Sequence, residues 1–339
     1  VTGQNKAVSA SPRLYAVGGR DSKRAALVPP IAILLSVYNG EAYLNQQLDS
    51  FLVQSDDNWR LYWRDDGSQD ASRAIMLSFQ EHRGQGRCIE VPAEPGNVGV
   101  ARSYAFLLDA APHDALIAFA DQDDVWVPQK LAWAREKIEL LHGPALYCAR
   151  QLLTDETLTV LGPSLSLERA PDFRSALIQN LATGHTVLLN AEAATLIRPV
   201  PPPKGVLHDW WSYLLVLGTG GQVVFDERCV SFYRQHPRNA VGVERSRIIR
   251  GARALRRGPK VFMALLAGLV DRLKAPDLGV ELSPEARDFL AKLEESLKGS
   301  CLSRLQLMLS EREFTRQRTA ETWLFRLWFV IYGSRSPKS

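Results

Sequence analysis

Three carboxylates stand within four residues at Asp121-Gln122-Asp123-Asp124, directly after the apolar run Ala115–Ala120. Acids so crowded repel one another unless a cation or hydrogen-bond donors compensate them. Carboxylate oxygens suit Mg²⁺ or Mn²⁺, and such ions commonly bridge to substrate phosphates. The same residues also suit the cap of a helix beginning after Pro128, and spacing alone weighs the two readings equally. A second acidic group, Asp65-Asp66-Gly67-Ser68, follows another apolar run. A carboxylate there can accept from a pyrimidine imide or from ribose hydroxyls. Taken alone, the tetrapeptide reads better as an Asx turn in which Gly67 supplies a positive φ. Tyr38, at the end of the first apolar run, can stack on a base or simply sit half-buried. Coincidence favours chemistry: Ser36, Tyr38, Asp66, Asp121 and Asp123 all fall at strand ends along one edge. No GxGxxG follows the first strand, and GxxxxGK[ST], His-Glu-x-x-His and GxSxG are absent. Dinucleotide and P-loop sites therefore lose support.

The elements that must carry these residues are legible as an alternation. Ile31–Val37 is continuously apolar with β-branched members, the mark of a strand buried on both faces. Leu44, Leu48, Phe51 and Leu52 recur at helical spacing between Glu41 and Gln54. A strand is expected at Trp59–Arg64, a helix at Ala71–His82, a strand at Arg87–Val91 and a helix at Ala101–Ala110. The strand Ala115–Ala120 and the helix Gln129–His142 complete the series. This order predicts an α/β fold with a mixed, mostly parallel sheet and helices on both faces. In such sheets ligands bind beyond the carboxyl ends of the strands. Further on, strands are expected at Ala145–Ala149, His185–Asn190, Gln222–Phe225 and Cys229–Tyr233. Asp209–Leu217 reads as a helix, and Pro199–Pro203 as a stiff connector.

Of the 339 residues 46% are apolar and 23% charged, which excludes a wholly disordered chain, a collagen-like fibre and a multi-span membrane protein. Cys88, Cys148, Cys229 and Cys301 lack CxxC spacing and read as small core residues in a reducing compartment. No apolar run approaches the roughly 20 residues that cross a bilayer, and residues 1–30 read as a polar extension without a signal-peptide pattern. A cytoplasmic location is expected, with peripheral attachment to the inner face of the cell membrane as an extension of it.

Charge divides the chain. Residues 1–239 hold 22 basic against 26 acidic side chains, and residues 240–339 hold 19 against 11. Six arginines and Lys260 face one glutamate between Glu244 and Lys260, and Trp323–Tyr332 is aromatic-rich. This composition fits attachment to an anionic membrane surface and, equally, a helical cap or homodimer face. Nucleic acid is disfavoured, because the aromatic residues are not interleaved with the basic run.

Ile31–Asn39, Asp65–Ser68, Asn97-Val98-Gly99 and Asp121–Trp126 together resemble inverting family 2 glycosyltransferases of the GT-A fold. Asp-Gln-Asp-Asp-Val-Trp, then His208-Asp209-Trp210-Trp211 and Tyr233-Arg234-Gln235-His236, most resembles bacterial rhamnosyltransferase-like members. The resemblance spans residues 31–240 as a transferase domain and leaves 241–339 as a separate basic helical region. It implies that Ser36, Tyr38 and Asp66 hold the base and ribose of a nucleotide. It makes Asp121 and Asp123 the DxD pair, with Asp123 the direct ligand of Mg²⁺ or Mn²⁺. Asp209 becomes the catalytic base, His236 approaches the metal or diphosphate, and Arg102 is a weaker donor-site residue. An N-cap role for Asp209, a structural role for His236 and core packing of one of Trp210 and Trp211 are the plainer alternatives.

The implied reaction moves a sugar from a dTDP- or UDP-linked donor to a lipid-linked or capsular glycan, with L-rhamnose from dTDP-β-L-rhamnose the best single donor. Two other classes are a sugar-phosphate nucleotidyltransferase, which lacks its Gly-rich basic loop here, and a non-catalytic sugar- or lipid-binding subunit, which the intact carboxylates oppose.

Overall fold

The computed structural model describes residues 28–92, 94, 96–237 and 258–333. Most of the polar extension, the boundary expected at 240 and 241, and the arginines of the basic run lie outside the described residues.

One nine-stranded sheet organises the chain, in the order β3-β2-β1-β4-β8-β6-β9-β5, with β7 paired to β6. Its first half is parallel: β1 (Ile31–Val37) lies between β2 (Trp59–Asp65) and β4 (Leu116–Ala120), and β2 carries β3 (Cys88–Glu90). The second half is mixed. β8 (Leu188–Leu189) runs antiparallel to β4 and to β6 (Ala145–Thr154), whereas β9 (Gln222–Arg234) runs parallel to β6. The short β5 (Val125–Trp126) and β7 (Val160–Pro163) pair antiparallel with β9 and β6.

Helices cover both faces, as the continuous burial along β1 requires. Ile31, Ile33, Leu35 and Val37 share a core with α1 (Leu44–Leu52), α2 (Ser72–His82) and α4 (Lys130–Ile138). Ala32 and Leu34 share the other with α3 (Val100–Ala110), α6 (Ala191–Ile197) and α7 (His208–Gly218), beyond the single-turn α5 (Phe173–Ala176). That second core continues without a break into α8 (Pro259–Leu273), α9 (Pro284–Lys298), α10 (Cys301–Ser310) and α11 (Thr319–Tyr332).

These last helices start on clear local signals. Ser283 and Ser300 cap α9 and α10 by accepting from Ala286 N–H and Ser303 N–H, and Pro259 and Pro284 open α8 and α9. Gln317, just before α11, accepts from the amides of Glu168 and Arg169 and donates to Arg169 O. The C-terminal helices also leave apolar residues in water: Leu302, Leu305 and Leu309 on α10, and Trp323, Leu327 and Ile331 on α11.

The structure corrects four expectations. His185–Asn190 is not one strand: Gly184–Thr186 forms a 3₁₀ turn, closed by Val187 N–H on Gly184 O, and only Leu188–Leu189 pairs. The two strands expected at 222–225 and 229–233 are one, bent where its register against β6 shifts at Ala149/Arg150. The helix expected at Gln129–His142 is confined to Lys130–Ile138. Of the cysteines, Cys148 is buried, Cys88 and Cys229 are partly so, and Cys301 is exposed.

Candidate active site at the carboxyl edge of the sheet

Parallel register brings the three acidic strand ends together. Val37 lies opposite Asp65, and Leu35 opposite Ala120, so Tyr38, Asp66 and Asp121 emerge side by side. Gln122 joins two of these ends by accepting from Tyr38 N–H at 2.8 Å and donating to Tyr38 O at 2.9 Å. Tyr38 itself is 44% exposed at the rim. Ser36 is bonded to Ser103 on α3 (Oγ to Oγ 2.6 Å).

Asp66 is buried and fully engaged. Arg64, also buried, donates to it at 2.5 Å, and the amides of Val98 and Gly99 donate at 3.0 Å each. A buried carboxylate needs such partners. Gly67 turns the chain at φ +86°, where an added Cβ would stand 3.1 Å from the carbonyl carbon of Gly96. The turn reading of Asp65–Ser68 is therefore correct, with Asp65 accepting from Ser68 N–H. Arg102, on the first turn of α3, is exposed and paired with Glu94 at 3.0 Å.

The three acids after β4 have three different surroundings. Asp124 is inaccessible to water and lies 2.9 Å from His185 Nδ1; it also accepts from Arg234 N–H. Asp121, with 38% of its side chain exposed, lies 3.3 Å from the same nitrogen and 3.4 Å from the Tyr104 hydroxyl. Burial opposes charge on His185, yet Asp124 and Asp121 outweigh it and push the imidazole up to about 10. Asp123 contacts His236 Nε2 at 2.8 Å with 17% of its side chain exposed. Arg234 fixes this loop by donating to Asp123 O at 2.9 Å. The donor atoms of Asp121, Asp124 and His185 lie within 4.8 Å of one another, a spacing that suits a metal ion.

Asp209 is held from behind the 3₁₀ turn. It lies inside the first turn of α7 and is not its cap, which is Leu207. Its Oδ2 accepts from Gly184 N–H at 3.1 Å and Asn180 Nδ2 at 3.2 Å, and its Oδ1 from Trp210 N–H at 2.7 Å. Burial pushes its carboxyl up to about 6; the Trp210 bond opposes the rise and the charge on Asp121 adds to it. Such a value suits a group that takes protons near neutral pH. The preceding His208 stacks on Tyr104 at 3.7 Å, and burial brings it down to about 4, so it stays neutral. Trp211 lies in the core with its N–H on Val200 O, while Trp210 is partly buried and donates to Ala176 O.

Sequence reasoning therefore placed Tyr38, Asp66, Asp121 and Asp123 along one edge, and the structure puts them there. It missed His185, Arg64, Tyr104 and Gln122. A charged residue within an apolar stretch was the available signal for Arg64, and a histidine at the head of an apolar run that for His185.

The sequence pattern of glycosyl transferase family 2 matches residues 32–158. UDP-Glc:alpha-D-GlcNAc-diphosphoundecaprenol beta-1,3-glucosyltransferase WfgD of Escherichia coli is 32% identical over 188 residues, covering 55% of this chain and 69% of that protein. The dTDP-rhamnosyl transferase RfbG of Shigella flexneri is 25% identical over 224 residues, 61% of this chain and 73% of that one. Against two other curated glycosyltransferases, of Haemophilus influenzae and Nostoc, the chain spans 66% of their length. Among solved structures, S. aureus TarS 1-349 in complex with UDP-GlcNAc superposes with a TM-score of 0.56 at 13% identity, over 90% of this chain and 82% of that one. The mannosyltransferase PcManGT from Pyrobaculum calidifontis, in complex with GDP-Man and Mn²⁺, gives 0.51 at 14% identity, over 90% and 86%.

Proposed function

The chain belongs to glycosyl transferase family 2 and has the GT-A fold, and from that premise we propose that it transfers a sugar from a nucleotide-diphosphate donor to a glycan hydroxyl with inversion at the anomeric carbon. The observation that carries this reading is the pairing of an acidic strand edge with a buried carboxyl, Asp209, poised at about 6. Family membership turns aside the nucleotidyltransferase and non-catalytic alternatives. Residues 31–240 form the transferase unit in this reading, and 241–339 an appended helical unit.

Tyr38, at the rim, stacks on the base, and Ser36 and Asp66 shape the wall that receives the nucleoside, with Arg102 at its outer edge. Because Asp66 is already engaged by Arg64 and two amides, its part is chiefly to fix the loop at 97–99. Asp121 and Asp123 are the acids that reach solvent, whereas Asp124 and His185 are fully buried and paired. Because Asp121 and Asp123 reach solvent while Asp124 and His185 are sealed against each other, Asp121, Asp123 and His236 are the ligands assigned to Mg²⁺ or Mn²⁺ in this reading. A divalent ion there supplies charge that offsets the leaving diphosphate. Asp209 takes the proton from the acceptor hydroxyl. His185, in contact with both Asp121 and Asp124, offsets part of the negative charge of the edge.

dTDP-β-L-rhamnose is the favoured donor, supported by the likeness to RfbG, with a UDP-sugar second, supported by WfgD. The acceptor is a lipid-linked or capsular glycan. An anionic membrane surface is the favoured partner of 241–339, because α10 and α11 expose apolar rows and the same part of the sequence carries a basic run; no described helix is long and apolar enough to cross a bilayer.

The deciding experiment titrates dTDP and UDP into wild type and Asp123→Ala, with Mn²⁺ or EDTA, and follows sugar release from dTDP-rhamnose and UDP-glucose. Tight binding is expected only for wild type with the ion, and an α-linked product from the rhamnose donor. Equal affinity in all conditions removes the metal role, and turnover of neither donor removes the proposed specificity.

A further inference from the structure

We propose that an open groove behind Asp209, one wall of which is the start of α11, seats the acceptor glycan, so that the C-terminal helices help to select the acceptor. The proposal rests on the glycosyltransferase reading above and adds to it the place and chemistry of the second substrate.

The groove has a volume of about 180 Å³, bounded by residues 164–168, residues 179–183 and the start of α11. Its floor touches the candidate base. Asn180 lines the groove and donates to Asp209, and Thr183, also lining it, precedes the Gly184 amide that donates to the same oxygen. The next residue, His185, contacts Asp121 and Asp124. Thr183-Gly184-His185 thus runs from the groove, past Asp209, to the acidic edge. Asp209 therefore lies one hydrogen bond behind the groove lining, which places an occupant of the groove close to the candidate base.

The lining chemistry points to sugar hydroxyls. Gln151 is 3% exposed, and its Oε1 has no hydrogen-bond partner. An unpaired buried carbonyl is unfavourable, and a hydroxyl entering the groove would satisfy it. Glu168 and Glu321 outnumber Arg318, which disfavours a phosphate-rich occupant and suits hydroxyl donors. Leu165 and Phe225 offer apolar surface to the C–H face of a pyranose. The α11 wall is fixed in place, since Gln317 is bonded to the amides of Glu168 and Arg169 and its own amide to Gln179.

The test uses saturation-transfer NMR with methyl α-L-rhamnoside, methyl β-D-glucoside and methyl N-acetyl-β-D-glucosaminide, none of which carries a lipid chain. Ser166→Trp fills the groove from an exposed loop position. Gln151→Leu removes the unpaired carbonyl and should leave the melting temperature unchanged or higher. At least one glycoside is expected to bind wild type and to bind each variant at least tenfold more weakly. Binding of none of the three to wild type, or undiminished binding to Ser166→Trp, overturns the proposal. Calorimetry with dTDP and UDP reports the nucleotide edge separately. Glycoside binding without nucleotide binding would leave the groove a glycan site and sink the transferase reading instead.

Discussion

Asp209 and His208 are neighbours in sequence, and burial moves their proton affinities in opposite directions, up to about 6 and down to about 4. For Asp209 the consequence is kinetic. A base must be unprotonated, so kcat/KM should fall as pH drops through about 6 and level off above it. Asp209→Asn should lose about 10²–10⁴ in kcat together with that acidic limb, while keeping donor affinity; a pH profile unchanged in shape would exclude the role. For His208 the consequence is stability. A histidine with a depressed folded value stabilises the fold fully above about 6.5 and loses that contribution as pH falls towards about 4. Neither ring nitrogen has a hydrogen-bond partner. His208→Phe should therefore gain on wild type by about 2 kcal/mol between pH 7 and pH 5, from the linkage relation. Denaturant unfolding at the two pH values measures it, and a pH-independent difference would contradict it. The acids of the edge were legible in the sequence because each follows an apolar run. His185 was not, since it precedes such a run and only a tight turn aims it at Asp124.

At the level of elements, legibility tracked length and continuity. β1, β2 and β4 were readable because both faces are buried and the apolar runs are unbroken. The single-turn α5 and the two-residue β5 and β8 exist through tertiary pairing and leave no periodicity to read. The most consequential unread element is the approach to α11. Gln317 accepts from two amides of the 168–169 segment and donates to a third group there. Nothing in its sequence context marks it. Gln317→Ala should destabilise the fold by about 1 kcal/mol, the net worth of partly buried hydrogen bonds lost. Urea unfolding checks the magnitude, and faster proteolysis within residues 164–172 checks the location. An unchanged midpoint would mean that water replaces the lost amide.

At the scale of the molecule, two regions carry different demands: an acidic edge at the strand ends, and C-terminal helices that present apolar rows to water. Trp323 is 64% exposed and Leu309 68%. Contact with an anionic bilayer would cover them, with each nearby basic residue adding about 1 kcal/mol that salt screens. Co-sedimentation with anionic liposomes is expected, partly reversed by high salt and weakened by charge reversal at Arg253, Arg256 and Arg257. A protein that ignores liposomes and sediments as a dimer would assign these rows to self-assembly. The Gln317 brace also has a consequence in time. It joins positions 148 and 149 residues apart, and contacts of such separation form late and slowly. Synthesis proceeds from the N-terminus, so His236 leaves the ribosome and can reach Asp123 while residue 317 is still unmade. The nascent chain closes its acidic edge first and acquires the wall behind Asn180 only afterwards.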